Sequence, residues 1–160
     1  MTPLAADLAP EAADEILTSR RFAAPRALVH AAWTTPEHLG AWWGPTGFTT
    51  TTTAMQLAVG GEWRFTMHGT DGTDYPNCIR FTEIVPAERL AYEQGDGQPG
   101  AAPHFHVVVH FADDGDGTRL SMRARFPSVA ARQYVVDNFK AIEGGRQTLE
   151  RLGHYVDTLR

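Results

Sequence analysis

The chain is poor in the residue types that several chemistries require. Cys78 is its only cysteine, which excludes a disulfide framework within the chain and any multi-cysteine zinc site. Lys140 is its only lysine, so a Schiff-base mechanism would have to run through that one amine. Serine occurs only at Ser19, Ser121 and Ser128, and none sits in the G-x-S-x-G turn that presents a hydrolase nucleophile. Positive charge is also scarce: 14 Lys and Arg against 19 Asp and Glu leave a formal net charge of −5. No nucleic-acid partner is expected of such a chain, because clustered cations are what displace the counterions of a phosphate backbone. No apolar run approaches the ~20 residues of a membrane span. Met1 to Ala13 carries acids but no early Lys or Arg, so it does not read as a signal peptide, and the default expectation is a cytoplasmic protein. Gly95, Gly97 and Gly100 follow no strand-to-helix pattern, so no phosphate-cradling loop is read here. Neither a metal nor an organic cofactor is implied.

What the chain does have is an ordinary globular composition, 42% apolar and 21% charged over 160 residues. That length suits one domain able to bury ~70% of the surface its unfolded chain would expose. Residues 1–13, rich in Ala and Pro, read as a mobile tail, leaving a single domain over 14–160. Asp14 to Phe22 suits a first strand. Leu28, Val29, Ala32 and Trp33 share one face of a short helix. Thr35-Pro36 opens a second, which ends at Gly44-Pro45. Five successive threonines, Thr49 to Thr53, predict a strand over Phe48 to Ala58, and Gly60-Gly61 turns it into a hairpin. Trp63, Phe65 and Met67 then alternate with polar residues, the period of a half-buried strand. Ile79, Phe81 and Glu83 share one face of the next strand, and Cys78 the other. Arg89 to Glu93 makes a short strand, Phe105 to Phe111 a longer one, and Leu120 to Phe126 the last. Gln94 to Pro103 reads as an exposed loop.

After Ser128, a reasonable N-cap, the period changes. Val135, Phe139, Ile142, Leu149, Leu152, Val156 and Leu159 recur at helical steps and predict one long amphipathic helix. The fold class is therefore α+β: an antiparallel sheet of about six to seven strands, two short helices after the first, and a long C-terminal helix packed on one face. That order resembles the helix-grip fold of the START-like, or SRPBCC, superfamily. Trp42-Trp43-Gly44-Pro45, Gly60-Gly61-Glu62-Trp63-Arg64-Phe65, residues 81–90 (FTEIVPAERL) and Gln147-Thr148-Leu149-Glu150-Arg151-Leu152 resemble, in order, the motifs of the AHSA1 family, named for the activator of Hsp90 ATPase. The resemblance runs from about Ile16 to Leu159. It implies a sheet curled around the helix, leaving a cavity for an apolar ligand. Family members often carry an aromatic residue just after the glycine of the last helix, where this chain has Arg146 after Gly145.

The candidate ligand-binding set is Trp43, Phe48, Trp63, Phe65, Met67, Phe81, Glu83, Phe105, Val107, Phe139, Ile142, Arg146 and Leu149. An apolar pocket wall and an apolar core look alike in a sequence, and the resemblance favours the wall. Arg146 falls in the apolar stripe of the helix. It is expected either to snorkel to the helix edge or to point inward, where its forked donors would anchor a ligand carboxylate or phosphate or pair with an inward Glu83. His104, His106 and His110 share a strand face, which would be the outer one, a poor place for a functional metal. Gly144-Gly145 marks either close packing or a flexible point in the helix. The expected partner is thus a small, mainly apolar molecule, with an anionic group if Arg146 turns inward. The alternatives are a chaperone-interacting or other protein-binding module, and an enzyme pairing Glu83 with Tyr75 or Tyr92 as acid and base. The chain would be a monomer, or a homodimer paired through the edge strand Phe48 to Ala58.

Overall fold

The computed structural model describes residues 11–160. Seven strands and four helices follow one another as β1 (Glu15–Phe22), α1 (Arg26–Thr34), α2 (Pro36–Trp42), β2 (Thr49–Met55), β3 (Glu62–His68), β4 (Asp74–Val85), β5 (Arg89–Gly95), β6 (Phe105–Asp114), β7 (Gly117–Arg125), α3 (Val129–Phe139) and α4 (Ala141–Thr158). The strands form one antiparallel sheet in the order β1-β7-β6-β5-β4-β3-β2. The chain begins at one edge, crosses over through α1 and α2 to the other, and returns strand by strand. The tail expected over residues 1–13 lies largely outside the described residues. Within them, the Glu11 carboxylate accepts a hydrogen bond from Leu17 N–H at 2.6 Å and pairs with Arg132.

Alternation puts Trp63 and Phe65 of β3, Ile79 and Phe81 of β4, Leu90 and Tyr92 of β5, and Val107, Val109 and Phe111 of β6 on the buried inner face. Helices α1 and α2 cover one end of that face. Val29, Ala32 and Trp33 come from α1, Leu39 and Trp42 from α2. Pro36 stands at the first helical position, where its missing N–H costs nothing. Trp42 Nε1–H donates to Ala32 O at 3.0 Å. Edge-to-face contacts then link Trp33 to Trp42 and Trp43 to Trp63, with ring centroids 5.0 and 4.9 Å apart. This tryptophan cluster closes the core at one end of the sheet.

Two expectations fail here. The C-terminal segment is two helices rather than one. Ser128 does cap it, its Oγ accepting from Ala131 N–H at 3.0 Å. Lys140, however, takes the left-handed conformation at φ 51°, ψ 48° and turns the chain. No residue of helix α3 is fully buried, so little packing holds it collinear with α4. Glu83 is the second. A bulge at Thr82 shifts the β4–β5 register, so that Phe81 faces Tyr92 while Glu83 faces Ala91 and Ile84 faces Leu90. One extra residue reverses the parity of everything after it. Ile84 thus takes the inner side, and Glu83 stands outside with a side chain 47% exposed, accepting from Arg89 Nε at 2.6 Å.

Candidate functional site

Between the sheet, the loop after α2, and helices α3 and α4 lies a cavity of about 290 Å³. Ligand pockets run from roughly 300 Å³ upward, so this one suits a compact molecule. Its floor is Ile16 and Thr18 of β1, Met122 and Ala124 of β7, Phe105 and Val107 of β6, and Tyr92 and Gln94 of β5. Met67 of β3 and the turn Trp43-Gly44-Pro45 close one side. Val135 and Phe139 of α3 and Ala141, Gly145 and Thr148 of α4 form the roof. Among the described residues, none of those lining it is charged.

The roof explains why there is space at all. Leu149, Leu152 and Val156 are the buried stripe of α4. Continued toward the N-terminus, that stripe meets Gly145 and Ala141, with Thr148 beside it. Small side chains replace large ones just where the helix crosses the cavity. Gly145 approaches β1 closely: a Cβ built there would stand 3.1 Å from Thr18 Oγ1. Both Gly144 and Gly145 lie inside continuous helix, so close packing accounts for Gly145 and the break in the segment falls at Lys140 instead.

This corrects the reading of Arg146 as an inward anchor. Consecutive helical residues point about 100° apart. Since Gly145 faces β1, Arg146 turns toward solvent, with its side chain 57% exposed. There it pairs with Glu143 and Glu150, one turn before and one turn after. The pairing holds the Glu143 carboxyl below its usual range and the guanidinium above its own. No Glu83–Arg146 ion pair forms, and Glu83 meets neither Tyr75 nor Tyr92 as an acid–base partner, because the bulge puts it on the outer face.

Of the other sequence candidates, Trp43, Met67, Phe105, Val107 and Phe139 come together around the cavity. Trp63, Phe65, Phe81 and Leu149 are buried in the closed core. Phe48 lies against Tyr75 instead, with centroids 6.1 Å apart. Ile142, in the first turn of α4, is 47% exposed. Sequence reasoning missed Ile16, Thr18, Ala124, Gly145 and Thr148. The signal for the last four was small size on an inward parity, which a search for large apolar side chains passes over. It also missed Gln94, assigned to a loop.

Polar groups in the lining are few. Gln94 Nε2 donates to Asn77 Oδ1 at 3.2 Å, and Thr148 Oγ1 to Gly144 O at 2.8 Å. Tyr92 is 3% exposed, and burial alone pushes its hydroxyl pKa up. Outside the cavity, Arg151 Nη1 donates to the carbonyls of Gly44 and Pro45 at 2.9 and 3.0 Å, fixing the turn that forms its side wall. A larger hollow of about 630 Å³ runs over the outer sheet face past Asp14, Glu15, Arg123 and Arg125. Its charges are committed to one another as Arg123–Glu15 and Arg125–Asp14 pairs. Cys78 does point to the outer face, but the loop at Gly97 covers it, and burial raises its thiol pKa. His110, expected on the exposed side, is buried: it sits on a central strand between Arg89 and the equally buried Ser121. Among the described residues, no three His, Cys, Asp or Glu side chains gather as a metal site would require, and no helix is long and apolar enough to cross a membrane.

Solved structures share this architecture. A protein from Nitrosomonas europaea superposes with a TM-score of 0.84 at 23% identity, over 94% of this chain and 98% of its own. One from Arthrobacter aurescens gives 0.83 at 26% identity, over 91% and 87%. The AHSA1 protein of Silicibacter pomeroyi gives 0.72 at 19% identity, over 91% and 99%. Among curated proteins there is no match. The family profile described as Activator of Hsp90 ATPase homolog 1-like protein matches residues 23–157. With most of the chain matched and the helix-grip sheet in place, the chain belongs to that AHSA1-like family.

Proposed function

We propose that the protein binds a small, mainly apolar molecule in the cavity between the sheet and helices α3 and α4. The observation that carries this reading is the apolar lining of the 290 Å³ space, which includes no charged side chain. Transfer of apolar surface into such a space is favourable by roughly 25 cal/mol per Å². An anion gains nothing there, since Arg146 lies outside and no other cation among the described residues replaces it. The test is a thermal-shift screen with neutral aromatic and polyketide-like compounds, with fatty and aromatic acids as the comparison. A ligand at a hundred times its dissociation constant adds ~2.7 kcal/mol, which raises Tm by roughly 5–10 °C in a domain of this size. Ala124→Phe, which fills the floor, should abolish the rise while the variant still folds. A rise undiminished by Ala124→Phe would place the ligand elsewhere.

A second reading rests on a different observation. Tyr134 and Phe139 of α3 and Ile142 of α4 are large apolar residues left 59%, 58% and 47% exposed. In this reading they dock a protein partner, and the family description makes an Hsp90-type chaperone the one to try. The measurement is the ATPase rate of a purified Hsp90 with and without the protein, repeated with Tyr134→Ser. An unchanged rate removes this reading.

A further inference from the structure

The inner end of the cavity carries a tyrosine hydroxyl with no hydrogen-bond partner among the described residues, and an unpaired indole N–H lies behind it. Tyr92 stands between the cavity and a void of about 10 Å³ behind it, lining both, as does Trp43. Among the described residues, the Tyr92 hydroxyl makes no hydrogen bond, and its raised pKa, due to burial alone, keeps it protonated. Trp33 also lines the void, and its indole Nε1–H is fully buried without an acceptor. An indole nitrogen can only donate. Leaving such a group dry and unpaired forfeits the hydrogen bond it would make to water, so natural interiors rarely keep one. Of the other polar groups of the lining, Gln94 donates to Asn77 and Thr148 to Gly144, and the Thr18 hydroxyl lies on β1 against Gly145. The surrounding side chains, Leu39, Trp63, Ile79 and Phe81, supply no acceptor, because the one polar atom among them, Trp63 Nε1, itself donates to Thr52 Oγ1.

We infer that the occupant of this cavity is an uncharged molecule with an apolar body and one hydrogen-bond-accepting oxygen, a ketone, ester or ether, seated against the Tyr92 hydroxyl at the end nearest Trp33. This rests on the binding function proposed above and narrows it. A carboxylate would also accept the bond, but it would arrive without a counterion in a lining that holds no cation. A pure hydrocarbon would fill the space and leave the donors unpaired. The void behind Tyr92 is of a size to hold one water, which would relay the bond from Trp33 to the same oxygen.

Three naphthalenes of nearly one shape make the test: 2-acetylnaphthalene, its hydrocarbon counterpart 2-isopropenylnaphthalene, and 2-naphthoate. Binding is followed by quenching of tryptophan fluorescence and by calorimetry. The ketone should bind about tenfold more tightly than the hydrocarbon, the scale of one neutral hydrogen bond, and naphthoate more weakly than either. Tyr92→Phe should bring ketone and hydrocarbon to within about twofold. The infrared carbonyl band of the bound ketone should lie at lower wavenumber in the wild type than in Tyr92→Phe, a readout that a merely structural tyrosine would not move. Equal affinity for ketone and hydrocarbon in the wild type overturns this inference while leaving the cavity as a binding site. Tightest binding of naphthoate overturns it as well. Binding of none of the three overturns the binding function itself and this inference with it. The wild-type comparison stands even where Tyr92→Phe does not fold.

Discussion

The two adjacent glycines of α4 allow the packing argument to be tested by one methyl group at a time. Each glycine inside a helix costs about 1 kcal/mol against alanine. At Gly144 an added Cβ would meet only Pro45 Cβ, at 3.9 Å, an ordinary contact. Gly144→Ala should therefore stabilise the fold by roughly 0.5–1 kcal/mol. At Gly145 the same methyl would stand 3.1 Å from Thr18 Oγ1, closer than such atoms normally come. Thr18 is β-branched and sits in β1, paired with Met122 of β7, so it yields poorly. The clash should cancel the gain in helix propensity. The expected difference between the two variants is then about 1 kcal/mol, or roughly 2–4 °C in Tm. Urea unfolding followed by circular dichroism measures it, with m compared to establish that the denatured state is unchanged. Adding Thr18→Ala should release Gly145→Ala and leave Gly144→Ala as it was, a coupling seen only between touching residues. If the two alanines stabilise equally, Gly145 is not packed against β1 and the account of the cavity roof is wrong.

Three other outcomes follow from single groups. Burial lowers the pKa of His30, and its Nε2 has no partner; the unfolded chain therefore binds a proton near pH 6.5 that the folded one refuses, so stability should hold above that pH and fall below it. Urea midpoints at pH 7.5 and 5.5 should show a drop that is smaller in His30→Leu, and an equal drop in both proteins would count against it. Lys140, left-handed at φ 51°, should give way to glycine with a gain of roughly 0.5 kcal/mol, and a loss of stability on Lys140→Gly would refute the strain. Arg146→Ala should leave stability almost unchanged, as the loss of exposed ion pairs does, and should leave every ligand-induced Tm shift intact; a shift that vanishes in this variant would restore Arg146 to the site.

The sequence made the sheet legible because alternation is a strong signal. Trp63, Phe65, Phe105, Val107 and Val109 all take the faces their parity predicts. Glu83 shows the limit. Nothing in the run FTEIV marks Thr82 as the bulged residue, and a count by twos carries Glu83 to the wrong side. Arg146 shows another limit. Helical spacing places it within reach of the apolar stripe, but the phase of α4 is set by how closely Gly145 can approach Thr18, a contact between residues 127 positions apart. Lys140 is similar: a left-handed turn at a lysine has no local signature, whereas the glycines at positions 144 and 145 suggest a break that tertiary packing removes.

The cavity is thus a product of subtraction and bracing rather than of any dedicated motif. The large apolar residues legible in the sequence mostly fill the core, with Trp63, Phe65, Phe81 and Leu149 all in one buried cluster. What keeps the adjoining space open is a run of small groups on facing elements, Ala124 on the floor and Ala141, Gly145 and Thr148 on the roof. Such a gap would collapse if its walls were free to move. One wall is fixed by Arg151 of α4, whose guanidinium donates to the carbonyls of Gly44 and Pro45. Since Arg151 and Thr148 are three residues apart, the same turn of helix sets both the height of the roof and the position of the side wall. The other wall, α3, has no fully buried side chain, but Arg132 ties it to β1, its Nε donating to Glu15 O at 3.0 Å. Both walls are thus braced by an arginine on a backbone carbonyl of a neighbouring element, Arg151 on the turn after α2 and Arg132 on β1, so the gap stays open without large side chains to fill it.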